Sequence, residues 1–215
     1  MFIVDKEPRS VISESFRILR TNLQYSSLDR KYKVIVITSS NPGEGKTTIA
    51  TNLALTLAEE EKKVILIDCD LRRPCIHRIF KISNANGLSQ VLLGEKNLNT
   101  AAINYKENLT VLTSGYIPPN PSEMLASDKM SKLLDKLREE FDYIILDTPP
   151  VLLVADSQII STKSDGTILV VKSEKTKKVD VRDSVGLLKK VNANIIGTVL
   201  NGVKGNANKG YNYYS

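Results

Sequence analysis

Residues 38–48 read TSSNPGEGKTT, a turn built to hold phosphate. Gly43 and Gly45 free the backbone to point successive N–H groups inward, from Gly43 through Glu44 and Gly45 to Thr47 and Thr48. The helix expected to start near Lys46 adds the positive end of its dipole. Lys46 is placed to reach the β- and γ-phosphates of a nucleotide, and the Thr47 hydroxyl to bind Mg²⁺. Ser40 stands where the pattern usually opens with glycine. Two further segments end in carboxylates. VILIDCD closes on Asp68 and Asp70, and YIILD closes on Asp147. A buried strand has little reason to end in acids unless a cation or a proton transfer uses them. Mg²⁺ takes oxygen ligands and keeps several waters, so a hydroxyl and one or two carboxylates suffice. A remaining carboxylate is then free to act as a base. Capping of a following helix is the competing use, chiefly for Asp70.

The elements that carry these residues read as an alternation. Apolar runs at 33–39, 63–70, 109–115, 143–150, 166–172 and 194–201 are rich in Val and Ile and do not alternate in polarity. Such strands are covered on both faces, as in a parallel sheet. Helix-period segments at Thr47–Glu60, Asp128–Glu140 and Val179–Val191 lie between them, which predicts an α/β, doubly wound, mostly parallel sheet. The ligand crevice of such a sheet lies beyond the carboxyl ends of its strands, where all three aspartates and the glycine-rich turn fall. A separate helix is expected over about 10–26. In it Ile12, Phe16, Leu19 and Leu23 form an apolar stripe, Glu14 and Arg17 lie opposite, and Arg20 flanks it. Residues 116–127, with IPPNPSE, read as a loop. The chain divides into one domain over 1–203 and a flexible tail over 204–215.

That tail, rich in Lys, Gly and Asn, holds Tyr211, Tyr213 and Tyr214, three of the chain's eight tyrosines. No apolar run reaches the roughly 20 residues of a membrane span, and the N-terminus lacks the pattern of a secretory signal, so a cytoplasmic chain is expected. Two cysteines, Cys69 and Cys75, fit a reducing compartment, with Cys69 a core residue. His77 is the one histidine, which leaves little for a His-based zinc site or triad. A formal net charge of +6 is modest. The basic runs KSEKTKK and LKK read as solvated faces, and no nucleic-acid partner is expected.

The segments PGEGKTT, ILIDCDLRRP and DYIILDTPPVLLVAD, in that order, resemble the Walker A, A′ and B motifs of the bacterial protein-tyrosine kinases of capsule and exopolysaccharide synthesis. Here Walker A belongs to a phosphate-loop NTPase of deviant type. ESFRILR resembles that family's E-x-x-R-x-x-R motif, and the tyrosine-rich end its autophosphorylated tail. ATPases that position division sites or partition plasmids share the fold and the two-aspartate strand. Their phosphate loop usually opens with an extra lysine, where this chain has Ser39–Ser40, and they lack both ESFRILR and the tail. A nucleotide-switched scaffold of that kind is the alternative reading. Protein kinases of the eukaryotic type are excluded, since neither HRD nor DFG occurs.

The resemblance implies ATP and Mg²⁺ as cofactors. It gives Thr47, Asp70 and Asp147 to the metal, Asp68 to the proton of an incoming tyrosine, and Asn201 to the adenine. Arg72 or Arg73 would stabilise charge on the transferring group. It implies autophosphorylation of Tyr211, Tyr213 and Tyr214 between subunits of a ring, with Glu14, Arg17 and Arg20 at the interface. The implied partners are a membrane-bound activator whose cytoplasmic segment docks near the nucleotide, protein tyrosine substrates and a cognate phosphatase.

Overall fold

The computed structural model describes residues 2–26 and 32–204. The tyrosines of the tail lie outside the described residues. Two helices lead in: α1 (Ile3–Lys6) and α2 (Val11–Tyr25). The Ser10 hydroxyl accepts the Ser13 N–H and caps the second. The chain then runs through β1 (Val34–Ser39), α3 (Lys46–Ala58), β2 (Val64–Asp68), α4 (Ile76–Phe80), α5 (Leu88–Leu93) and α6 (Leu98–Ala101). There follow β3 (Ile103–Lys106), β4 (Leu109–Leu112), α7 (Pro121–Ala126), α8 (Asp128–Glu140), β5 (Tyr143–Asp147), α9 (Asp156–Ser161), β6 (Gly166–Lys172), α10 (Lys178–Lys190) and β7 (Ile195–Asn201).

The strands form a seven-stranded sheet in the order β3-β4-β2-β5-β1-β6-β7. Every pair is parallel except β3 with β4. The expected doubly wound sheet is therefore present, with one antiparallel strand added at the edge. Its two faces are visible in the period of single strands. Ile35 and Ile37 of β1 pack with α3 and the N-terminal helices, through Val4, Phe16, Leu53 and Leu57. Val34 and Val36, one residue out of phase, pack with α5, α7, α8 and α9, through Leu88, Leu125, Leu134 and Ile160. Strand β1 is buried along its whole length because both faces are covered.

Strand β3 was not anticipated. Its INYK has a half-buried, half-exposed alternation on an edge, and only four residues carry that signal. The stretch 116–127, expected as a loop, contains α7, whose first position is Pro121. Proline is compatible there because the first turn has no use for its missing N–H. Helix α2 buries Phe16 and Leu23 as expected. Ile12 does not join them and stays 51% exposed. It overhangs a shallow groove beside Leu200 and Val203, where no described element covers it.

Candidate functional site

The glycine-rich turn leaves β1 and enters α3 at Lys46. Gly43 and Gly45 have φ of +75° and +98°, which only glycine adopts freely. Gly45 also has a neighbour: a Cβ there would stand 2.0 Å from Asn201 Nδ2. Asn201 ends β7 and donates from Nδ2 to the Glu44 carbonyl at 2.9 Å. It is thereby fixed at the edge of the turn, while Thr48, one turn into α3, lines the groove beside it. Ser40, the departure from the usual glycine, has a structural use. Its hydroxyl accepts from Ser184 of α10 at 2.8 Å, and Asn41 Nδ2 donates to Asp180 at 2.8 Å. These bonds moor the turn to α10.

Glu44 was expected to contribute its backbone N–H. Its side chain is buried and spent on the protein itself. One oxygen accepts the Asn41 N–H at 3.0 Å and the other the Thr176 hydroxyl at 2.6 Å. Only its backbone remains available to a phosphate.

Strands β2 and β5 are neighbours, and Asp68 pairs in register with Asp147. Two carboxylates therefore stand side by side at the sheet's ligand-binding end, and both are fully buried. Asp68 accepts the Cys75 and Ile76 N–H groups at 3.0 Å through one oxygen and the Asp70 N–H at 3.2 Å through the other. Asp68 thus holds the backbone at the start of α4, whose N-cap position is Cys75, while Asp70 Oδ1 accepts the Arg73 N–H at 3.0 Å. Burial, with Asp147 beside it, pushes the Asp68 carboxyl up to about 7 against those bonds. Neither oxygen of Asp147 makes a well-formed hydrogen bond among the described residues, although the Thr47 hydroxyl is close. Burial pushes Asp147 up as well, to about 6, although Lys46 and the nearby Thr47 hydroxyl favour its ionised form.

Lys46 Nζ lies 3.4 Å from Asp70 Oδ2. Burial lowers the Lys46 pKa, but Asp147 and Asp70 outweigh it, and the ammonium is held above its ordinary value. The Thr47 hydroxyl sits 3.4 Å from Cys75 Sγ. Burial and Asp147 push that thiol up to about 11, so it rests as the uncharged thiol. The structure thus brings Lys46, Thr47, Asp68, Asp70 and Asp147 together around one point.

Mg²⁺ fits this donor set. The Asp147 carboxylate oxygens, without a well-formed hydrogen bond, and the Thr47 hydroxyl face the same space, and both are hard oxygen donors. Asp70 is the further acid in reach.

Arg72 is committed elsewhere. Its Nε donates to Asp156 Oδ2 at 2.9 Å, and its Nη2 to Asp156 Oδ1 at 3.2 Å and Ser122 Oγ at 3.0 Å. Asp156 is fully buried, and Ser122 donates to it at 2.6 Å. The guanidinium thus ties the β2–α4 connection to α7 and α9. Arg73 is exposed, and its guanidinium has no partner among the described residues. Of the helix residues expected at an interface, Glu14 and Arg17 pair with each other at 3.0 Å, and Arg17 also donates to the Pro8 carbonyl. Arg20 turns inward, to the Thr56 carbonyl at 3.1 Å and Glu60 at 3.0 Å.

Sequence reasoning missed Asp156, Ser122 and Thr176. The DTPPVLLVAD stretch and PSE contain the first two, but nothing in their spacing says that α7 and α9 converge on Arg72. Thr176 sits in the run taken for a solvated face.

Residues 32–196 match the family described as an AAA domain. The chain is 43% identical over 209 residues to the tyrosine-protein kinase YwqD of Bacillus subtilis, covering 97% of this chain and 88% of that protein. Among solved structures it resembles the chimerical protein CapA2B2, with TM-score 0.89 and 41% identity over 93% of this chain and 88% of that one. It also resembles the kinase domain of the Escherichia coli tyrosine kinase ETK, with TM-score 0.92 and 34% identity over 100% of this chain and 85% of that one.

Proposed function

The chain belongs to the bacterial tyrosine-protein kinases, and on that premise we propose that it transfers the terminal phosphoryl group of ATP to tyrosine hydroxyls, its own tail included. The observation that carries this reading is the in-register pairing of Asp68 with Asp147 at the mouth of the glycine-rich turn. Lys46 and the N–H groups from Gly43 to Thr47 bind the β- and γ-phosphates and hold the terminal phosphorus at the strand tips. Thr47, Asp147 and Asp70 would hold Mg²⁺, which when bound neutralises charge on the phosphate oxygens. The incoming phenol oxygen forms a bond to the γ-phosphorus as the bond to the β-bridging oxygen breaks. The phenol proton passes to a carboxylate oxygen of Asp68, and ADP departs. A tyrosine hydroxyl has a pKa near 10, so a base near 7 needs only to assist its loss. Asn201, at the rim beside Thr48, positions the adenine.

The acceptors are Tyr211, Tyr213 and Tyr214 of a neighbouring copy, presented around a ring to which the exposed Glu14–Arg17 face of α2 contributes. Each phosphate adds roughly −1.5 to −2 charge and weakens the tail's hold on an acidic crevice. No helix among the described residues is long and apolar enough to cross a membrane. A membrane-bound activator of polysaccharide export, docking through its cytoplasmic segment, supplies recruitment to the inner face of the membrane and completes the site. A cognate phosphatase resets the tail.

The test is incubation with γ-labelled ATP and Mg²⁺, with and without the activator segment, followed by phosphotyrosine mapping. Label on Tyr211, Tyr213 or Tyr214 is expected. Label released only as free phosphate, with all three bare in both conditions, points instead to a nucleotide-switched ATPase.

A further inference from the structure

The turn between β6 and α10, residues 173–177, lies against the glycine-rich turn and is fastened to it. Thr176 is the fastener. Its hydroxyl donates to Glu44 at 2.6 Å and accepts the Lys172 N–H at 2.8 Å, while its own N–H donates to the Lys172 carbonyl at 3.0 Å. Ser173 N–H bonds the Asn201 carbonyl at 2.8 Å, and Asn201 in turn holds the Glu44 carbonyl. Glu174 takes a left-handed φ of 59°, which turns the chain tightly between these anchors. The residue between Glu174 and Thr176 is Lys175. Its Nζ lies 3.5 Å from where a Cβ on Gly43 would stand, at the crest of the phosphate turn. Gly43 has no side chain, so the ammonium lies close over its backbone. Among the described residues no carboxylate pairs with it.

Lys175 is exposed, so its ammonium stands hydrated at the edge of the phosphate-binding turn and is open to an anion bound there. Lys46, the other cation here, already shares its charge with Asp70 and Asp147. A bound triphosphate therefore arrives at a loop whose own lysine is partly neutralised. We propose that Lys175 is a second phosphate-contacting residue, supplied from outside the glycine-rich turn and positioned by the Thr176–Glu44 bond. This rests on the nucleotide-binding reading above and assigns it a residue. Charge-assisted hydrogen bonds to phosphate are the strong kind, and Lys serves as a point charge in them. A salt-dependent contribution to nucleotide affinity follows.

Equilibrium titration with ATP, displacing a fluorescent ATP analogue at several NaCl concentrations, tests this. Lys175→Gln should weaken ATP by about fivefold to tenfold and flatten the salt dependence, and Lys175→Arg should stay near wild type. Thr176→Val, which frees the turn from Glu44, should shift affinity in the same direction with Lys175 still present. ATP binding by Lys175→Gln equal to wild type, or weakened with an unchanged salt slope, overturns the proposal. A wild-type chain that binds no ATP brings down this inference together with the kinase reading. Normal ATP binding by both proteins, with phosphotyrosine still formed, removes Lys175 alone.

Discussion

Residue by residue, the site is a set of buried charges that the protein's own groups balance only in part. Asp147 is the clearest case: fully buried, neither oxygen in a well-formed hydrogen bond, and its pKa raised to about 6 by burial. A raised acid pKa means the folded chain binds more protons than the unfolded one, so this group destabilises the fold above its folded value. The penalty disappears as pH falls toward the ordinary carboxylate range. Asp147→Asn should therefore stabilise the metal-free chain at pH 8, by roughly 1–3 kcal/mol, and should match wild type near pH 4. Thermal melts across that range check this, and an unchanged melting temperature at pH 8 contradicts it. The same variant should lose phosphoryl transfer, a trade of activity against stability. Asp68 is held by three backbone N–H groups and keeps the geometry of α4's start as well as the proposed proton. Asp68→Asn should bind ATP near normally and transfer about 10²–10⁴-fold more slowly. Transfer at the wild-type rate would remove Asp68 as the base.

At the scale of elements, the sheet sets the site by register. Asp68 and Asp147 meet because β2 and β5 pair in parallel and end level. Continuous Val and Ile runs made that sheet legible in the sequence, and the glycine-rich turn made its ligand end legible. The edge strand β3 and helix α7 were not legible. β3 has four half-exposed residues, and α7 hides behind prolines that usually mark loops. Nor was the Arg72–Asp156–Ser122 cluster, because its members meet only after α7 and α9 fold onto β2's connection. The long-range anchors follow the same logic. Asp165, just before β6, accepts the Lys33 and Val34 N–H groups at 2.8 and 2.7 Å and both arms of Arg138 from α8. Burial pushes its carboxyl up, but Arg138 and those N–H groups outweigh burial and hold it below the usual value. A depressed acid pKa contributes stability above the unfolded value that is lost as pH falls through the folded one. Asp165→Asn should cost roughly 1–3 kcal/mol at pH 7, and the difference should shrink as pH falls below the ordinary carboxylate range. Equal denaturant midpoints of the two proteins at pH 7 would contradict that role.

At the scale of the whole molecule, α2 has two duties on two faces. Arg20, with Phe16 and Leu23, ties it to α3, the helix that follows the phosphate turn. Glu14 and Arg17 remain outward, beside the exposed Ile12 and Ile18. The two arginines of ESFRILR therefore separate in their consequences. Arg17→Ala should shift the particle toward monomer by light scattering with its melting temperature little changed. Arg20→Ala should lower the melting temperature, because it removes the donor to the Thr56 carbonyl and the tie between α2 and α3. Identical behaviour of the two variants would contradict this division. The spacing of ESFRILR showed a helix face, but not that its last arginine bends back onto the chain.

In the proposed reaction one pocket carries phosphate from ATP to the tyrosine of another copy. Mixing two variants tests it most directly. Lys46→Met, with tyrosines intact, is combined with a chain in which Tyr211, Tyr213 and Tyr214 are all Phe, in γ-labelled ATP, Mg²⁺ and the activator's cytoplasmic segment. Label on the Lys46→Met copy, absent when either variant is alone, is the predicted result. Free labelled phosphate with no phosphotyrosine on either copy, in the mixture and in wild type alike, would contradict it.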